Sequence, residues 1–172
     1  GPRPLLETTI KRFISDGYSK FWLSINYLGE MIENYFSDGK HLGAEINYLR
    51  EKSALGTAGS LSLLNYKPKK PLVVMNADIL TDIDFDDLLR KHKASNAFVS
   101  ICVVEQSIKI PYGVVDHDLG QMSSLKEKPE HKFFINAGIY VIEPAVLDYI
   151  NGSEFVDMTE VINIIKKNNK KI

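Results

Sequence analysis

Residues Pro71 to Asp78 read PLVVMNAD: a short apolar run stops at Met75 and a carboxylate stands three residues on. In an open α/β sheet, ligands gather where parallel strands end. An acid just beyond such a strand is well placed to hold a divalent cation on a phosphate, with Asn76 shaping the turn. A plainer reading competes with this one. Asp82, Asp84, Asp86 and Asp87 follow closely, and acids at the start of a helix are ordinary.

Three further stretches carry candidate chemistry. LGTAG, Leu55 to Gly59, brackets Thr57 and Ala58 with glycines at the start of an expected short helix. Small residues let a flat ring approach the backbone, and free amides at a helix start can bind its polar edge. A tight turn capped by Thr57 explains the same letters equally well. In EKP, Glu127 to Pro129, the acid could accept hydrogen bonds from sugar hydroxyls and Lys128 could meet a phosphate as a point charge. An exposed turn before proline is the alternative. NAG, Asn136 to Gly138, interrupts a strand-like run, and a glycine there often marks close approach of a ligand or of another backbone. Tyr112-Gly113 has the same character.

Other chemistries lose ground. The chain has no GxGxxG, GxSxG or HExxH and no Cys-His pairing at ligand spacing. His41, His92, His117 and His131 all fall in polar surroundings and read as surface residues. The single cysteine, Cys102, excludes a disulfide framework and reads as a buried strand residue. With 21 basic and 22 acidic residues the net charge is −1, so no overall field favours nucleic acid or a membrane surface. No apolar run approaches the roughly 18 residues that span a bilayer. No signal-peptide pattern is visible, so the cytoplasm is the expected compartment. The chain opens and closes directly on helical patterns, which suggests a piece of something longer.

The elements that must position these residues follow from periodicity. Leu5, Leu6, Ile10, Phe13 and Ile14 recur at helical spacing and stop at Asp16-Gly17. Strands are expected over 20–26, 44–49, 71–75 and 97–104, with helices over 28–36, 57–64 and 85–92, the last capped by Asp84. Beyond Val104 the texture changes: strands are expected over 112–116, 121–125 and 133–142, then short helices over 144–149 and 158–167. Helix and strand alternate through the first two-thirds, which implies a mostly parallel sheet with right-handed crossovers.

In this order the motifs resemble the sugar-phosphate nucleotidyltransferases, above all the mannose-1-phosphate guanylyltransferase-like branch. The matching stretches are PLLETTIKRF at 4–13, INYLGEMIENYF at 25–36, LGTAGSL at 55–61 and PLVVMNADIL at 71–80. PYGVV at 111–115, EKP at 127–129 and NAGIYVIEP at 136–144 continue the match. The resemblance implies a Rossmann-like three-layer α/β/α fold with a mostly parallel (mixed) sheet. Residues 1–172 would form a single, truncated catalytic domain of the nucleotide-diphospho-sugar transferase type.

The resemblance also implies a reaction. A nucleotidyl group, guanylyl by overall likeness, passes from a nucleoside triphosphate (GTP favoured) to a sugar 1-phosphate, and pyrophosphate is released. Asp78 would hold Mg²⁺ and, with Lys128, would serve catalysis. Leu55, Gly56, Thr57, Ala58, Gly59 and Asn76 would meet the nucleotide. Tyr112, Gly113, Glu127, Asn136, Ala137 and Gly138 would meet the sugar, and Lys128 its phosphate. Two departures stand out. The Gly-rich loop that cradles the triphosphate, with the first strand before it, is missing, and so is the second metal-binding Asp. The fragment is therefore expected to hold half a triphosphate site and to be weakly active or inactive, with unpaired strand edges and an open oligomeric state. A non-catalytic nucleotide-sugar-binding or regulatory homologue is one alternative. A glycosyltransferase of related fold is another, disfavoured because residues 76–78 are NAD and not DxD; Asp82-x-Asp84 has that spacing one turn later.

Overall fold

The computed structural model describes residues 3–152 and 154–172. Its first helix, α1 (Leu5–Ser15), follows Pro4 and stops at Asp16, before Gly17 turns the chain with φ of 89°. Then come β1 (Lys20–Ile25), α2 (Gly29–Phe36), a 3₁₀ turn at Lys40–Leu42 and β2 (Glu45–Arg50). The LGTAG stretch forms α3 (Gly56–Gly59) and runs straight into a 3₁₀ turn at Ser60–Leu63. β3 (Leu72–Met75) leads to α4 (Phe85–Ser95). Asp84 caps α4 as expected, its side chain accepting the Asp87 amide at 2.8 Å. β4 (Val99–Lys109), β5 (Gly113–Asp118), β6 (Gln121–Glu127) and β7 (Glu130–Ile142) follow, then a 3₁₀ turn at Pro144–Tyr149 and α5 (Met158–Lys167).

The chain divides into two compact units: residues up to Ser100 together with Gly138–Ile172, and the insertion Ile101–Ala137. In the first unit β1 and β2 run parallel, Lys20 opposite Glu45 and Ile25 opposite Arg50. β3 runs antiparallel to β7, Met75 opposite Ile139. The sheet order β3-β7-β4 leaves β3 at an edge. The fold is thus α/β with a mixed sheet. The sequence placed β3 in a mostly parallel run. It pairs instead with a strand from the last third of the chain, which returns in the opposite direction.

α1 organises the first unit. Ile10, Phe36, Ala44 and Ile46 are buried together, with Leu6, Ile14, Phe21 and Ile32 packed against them. Phe13 stacks on Phe85 of α4 at 4.0 Å and meets Phe21 of β1 edge-on at 6.0 Å. One helix therefore ties the β1–β2 pair to the segment that follows β3. Thr9 and Arg12 reinforce this by donating to the carbonyls of Ile79 and Ile83.

The second unit centres on the hairpin β5–β6, antiparallel, with a register shift between Asp116 and His117. Two side-chain expectations fail. His92 is buried, 1 % exposed, because its face of α4 turns inward, where Ser100 and Glu143 hold its ring. Cys102 is half-buried on β4, which loses its cover after Val99. Among the described residues no helix is long and apolar enough to cross a membrane.

Candidate functional site

β3 delivers the acid that the sequence singled out. The strand ends at Met75, the chain turns at Ala77-Asp78, and Asp78 is exposed. No described residue pairs with its carboxylate. Asn76 anchors the turn: its amide donates to the Gly138 carbonyl at 3.0 Å. Gly138 answers with a φ of 69°, and a Cβ there would lie 2.8 Å from both Asn76 Nδ2 and Ile79 Cδ1. The glycine of NAG is therefore required by the Asn76 side chain and Ile79. Asp84 is engaged as the α4 cap, so of these two nearby acids only Asp78 stands clear of helix capping.

No group of three or more His, Cys, Asp or Glu side chains able to hold a metal exists among the described residues. A single unpaired carboxylate suits one metal habit in particular. Mg²⁺ keeps several waters and binds through one or two carboxylates plus substrate phosphates. The donor set at β3 fits an ion that arrives with a phosphate ligand, and not a closed protein cage.

LGTAG folds for a different local reason than small size toward a ligand. Glu51 takes the Leu55 amide at 2.8 Å and also receives the Ser24 hydroxyl. The Ala58 and Gly59 amides donate to the Val156 carbonyl at 3.1 and 3.2 Å. The Thr57 amide and hydroxyl donate to Asp157 Oδ1 at 3.0 and 3.1 Å. Those three amides are used by the chain itself, so they are not free for the edge of a base. A Cβ on Gly56 would fall 2.6 Å from the Val156 carbonyl oxygen, and one on Gly59 3.0 Å from that of Glu154. The glycines admit the 154–157 backbone. Thr57 also accepts the Met158 amide at 2.9 Å, so it caps α5 and not its own helix. Leu55, Ala58 and Gly59 are buried; Gly56 and Thr57 are the members with surface to offer.

The second unit gathers three of the expected sugar-site residues, together with Lys128, at one hairpin end. Gly113 lies opposite Glu127 in the β5–β6 register. A Cβ on Gly113 would meet Glu127 Oε2 at 3.2 Å. The Lys128 amide donates to the Tyr112 carbonyl at 3.2 Å, and Lys128 takes a φ of 46°. The Lys128 ammonium sits 3.8 Å from Glu127 Oε1, both side chains well exposed. Tyr112 is 73 % exposed. Asn136 is exposed and Ala137 half-buried on β7. The first unit therefore carries Asn76, Asp78, Gly138 and LGTAG, and the second carries the Tyr112–Lys128 hairpin end, Asn136 and Ala137.

Sequence reasoning missed Asp157 and Glu51. Asp157 carried a readable signal: Asp157-x-x-Glu160 before the apolar run of α5 is a capping-box pattern, and both halves of the box form. Glu51 carried none, since a glutamate after a strand is unremarkable by itself.

Residues 1–172 match the family model described as nucleotidyl transferase. The chain is 34 % identical to a mannose-1-phosphate guanyltransferase beta-A of Xenopus laevis, over 86 % of this chain and 43 % of that protein. It is 31 % identical to a UTP–glucose-1-phosphate uridylyltransferase of a Synechocystis strain, over 91 % of this chain and 45 % of the relative. The chain thus spans less than half the length of these curated relatives. Among solved structures, HddC from Yersinia pseudotuberculosis complexed with GMP-PN superposes with a TM-score of 0.66 at 19 % identity, covering 89 % of this chain and 68 % of the other. At that identity the likeness speaks for the fold.

Proposed function

Because the chain belongs to the nucleotidyl transferase family, we propose that it is part of an enzyme that transfers a nucleotidyl group from a nucleoside triphosphate to a sugar 1-phosphate. The observation that carries this reading is the exposed, unpaired Asp78 carboxylate at the end of β3, held in place by the Asn76–Gly138 bond. Guanine is the favoured base, on the side of the guanyltransferase relative.

The reaction is an in-line displacement. A phosphate oxygen of the sugar 1-phosphate attacks the α-phosphorus, the bond to the bridging oxygen breaks, and pyrophosphate leaves with the electron pair. Such a reaction needs positioning and charge neutralisation more than covalent help. Mg²⁺, when bound, would neutralise phosphate charge. Asp78 would hold the ion from the protein side, with Asn76 fixing the turn. Gly56 and Thr57 offer the surface of LGTAG to the base. In the other unit Glu127 would accept sugar hydroxyls and Lys128 would stand against the sugar phosphate as a point charge. Tyr112, Gly113, Asn136 and Ala137 of that unit would shape the sugar's surroundings.

Calorimetric titration of the chain with GTP and UTP, with and without Mg²⁺, tests the reading. GTP should bind more tightly than UTP, and Asp78→Ala should abolish the gain that Mg²⁺ brings. Affinity unchanged by Asp78→Ala would remove the metal assignment. A chain that binds neither triphosphate would sink the substrate-site reading.

A further inference from the structure

We propose that Asp157 is a positioning residue for the nucleotide-facing turn at Gly56 and Thr57. The inference rests on reading that turn as the nucleobase contact, and it adds a residue from the far end of the chain. One oxygen, Asp157 Oδ1, receives both the amide and the hydroxyl of Thr57, at 3.0 and 3.1 Å. The same hydroxyl accepts the Met158 amide at 2.9 Å, so its rotamer is fixed from both sides. Gly56 cannot take up slack, because the Val156 carbonyl occupies the place of its absent side chain. Glu51 fixes the opposite flank through the Leu55 amide. The turn is thus clamped between two carboxylates, one before it in sequence and one 100 residues after it.

Asp157 performs two separable tasks. With Glu160 it forms the capping box of α5, which concerns the helix alone. With Thr57 it orders the turn, which concerns whatever binds there. A turn freed of Asp157 would have to be re-ordered by each incoming ligand, and that ordering is subtracted from affinity. Glu160 shares the first task and not the second, so it separates them experimentally.

The test is calorimetric titration of the 172-residue chain with GTP, at a temperature where circular dichroism shows every variant folded. Asp157→Ala should weaken GTP binding about tenfold, as expected for loss of a hydrogen bond to a charged group. Asp157→Asn retains an oxygen that accepts both Thr57 bonds and should stay within about threefold of the wild type. Glu160→Ala should lower the melting temperature while keeping wild-type affinity. Wild-type affinity in Asp157→Ala, or equal losses in Asp157→Ala and Glu160→Ala, would reduce Asp157 to a helix cap and overturn the proposal. A wild-type chain that binds no GTP would overturn the base-contact reading first, and the positioning role with it.

Discussion

Gly138 accepts the Asn76 amide through its carbonyl and, by lacking a side chain, leaves room for the Asn76 carboxamide and for Ile79. One residue on β7 thereby sets the turn that presents Asp78. Two independent constraints meet there: a left-handed φ of 69° and a 2.8 Å approach on the Cβ side. Gly138→Ala should destabilise the chain by at least the left-handed penalty of about 1–2 kcal/mol, read as a lower urea midpoint at unchanged slope. It should also weaken any Mg²⁺-dependent nucleotide binding. A midpoint equal to the wild type would show that the turn relaxes freely.

His92 is the second test of packing. Its Nδ1 lies 2.8 Å from Ser100 Oγ and its Nε2 3.2 Å from Glu143 Oε1. Truncation to alanine removes a buried ring and leaves the Ser100 hydroxyl without this partner. His92→Ala should cost about 3 kcal/mol in denaturant unfolding. His92→Gln, which can still bond at one of the two positions, should recover part of that loss.

Glu7 makes stability depend on acid. Its carboxylate sits 2.5 Å from Lys11 Nζ and accepts the Tyr35 hydroxyl at 2.6 Å. The Lys11 bond, then the Tyr35 bond, hold its pKa below the ordinary value of 4.5. A lowered carboxylate pKa stabilises the folded state above the unfolded value and loses that contribution as pH falls through the folded one. The melting temperature should therefore drop as pH falls below about 4.5, and Glu7→Gln should show a shallower drop over the same range.

Tyr18 makes the opposite prediction at high pH. Partial burial, then the neighbouring Asp86 carboxylate that its hydroxyl meets at 3.3 Å, push its pKa up to about 12. A raised pKa adds stability that is complete below the unfolded value of 10.0 and disappears as pH rises toward about 12. In an absorbance titration of the folded chain, the Tyr18→Phe difference spectrum should place this phenol's ionisation well above pH 10. An ionisation near 10 would show that the hydroxyl is open to water.

Why some of this was legible in the sequence and some was not can be seen residue by residue. α1, α4 and α5 announced themselves through apolar stripes and local boundary signals, Gly17 ending the first and Asp84 starting the second. Those features are written within a few residues. The exposed place of Asp78 was legible for the same reason, since it follows a short apolar strand. The pairing of β3 with β7 was not, because partners this far apart share no local pattern (Met75 with Ile139 is 64 apart, Leu72 with Ile142 is 70). His92 looked like a surface residue because Arg90, Lys91 and Lys93 surround it in sequence, while helical geometry sends it inward alone among them. The glycines of LGTAG were noticed, but the backbone of residues 154–157 that fills the space beside Gly56 and Gly59 could not be read from their letters.

That last contact also has a timetable. Thr57 and Asp157 are 100 residues apart, so during synthesis the turn cannot be clamped until the second partner has emerged. At about 5–20 residues per second, the interval is roughly 5–20 s. Through that interval the Thr57, Ala58 and Gly59 amides must be satisfied by water, and Leu55 must wait uncovered on its Val156 side. Closure of so long a loop is slow compared with forming a helix. The turn is made 100 residues before the carboxylate that closes it.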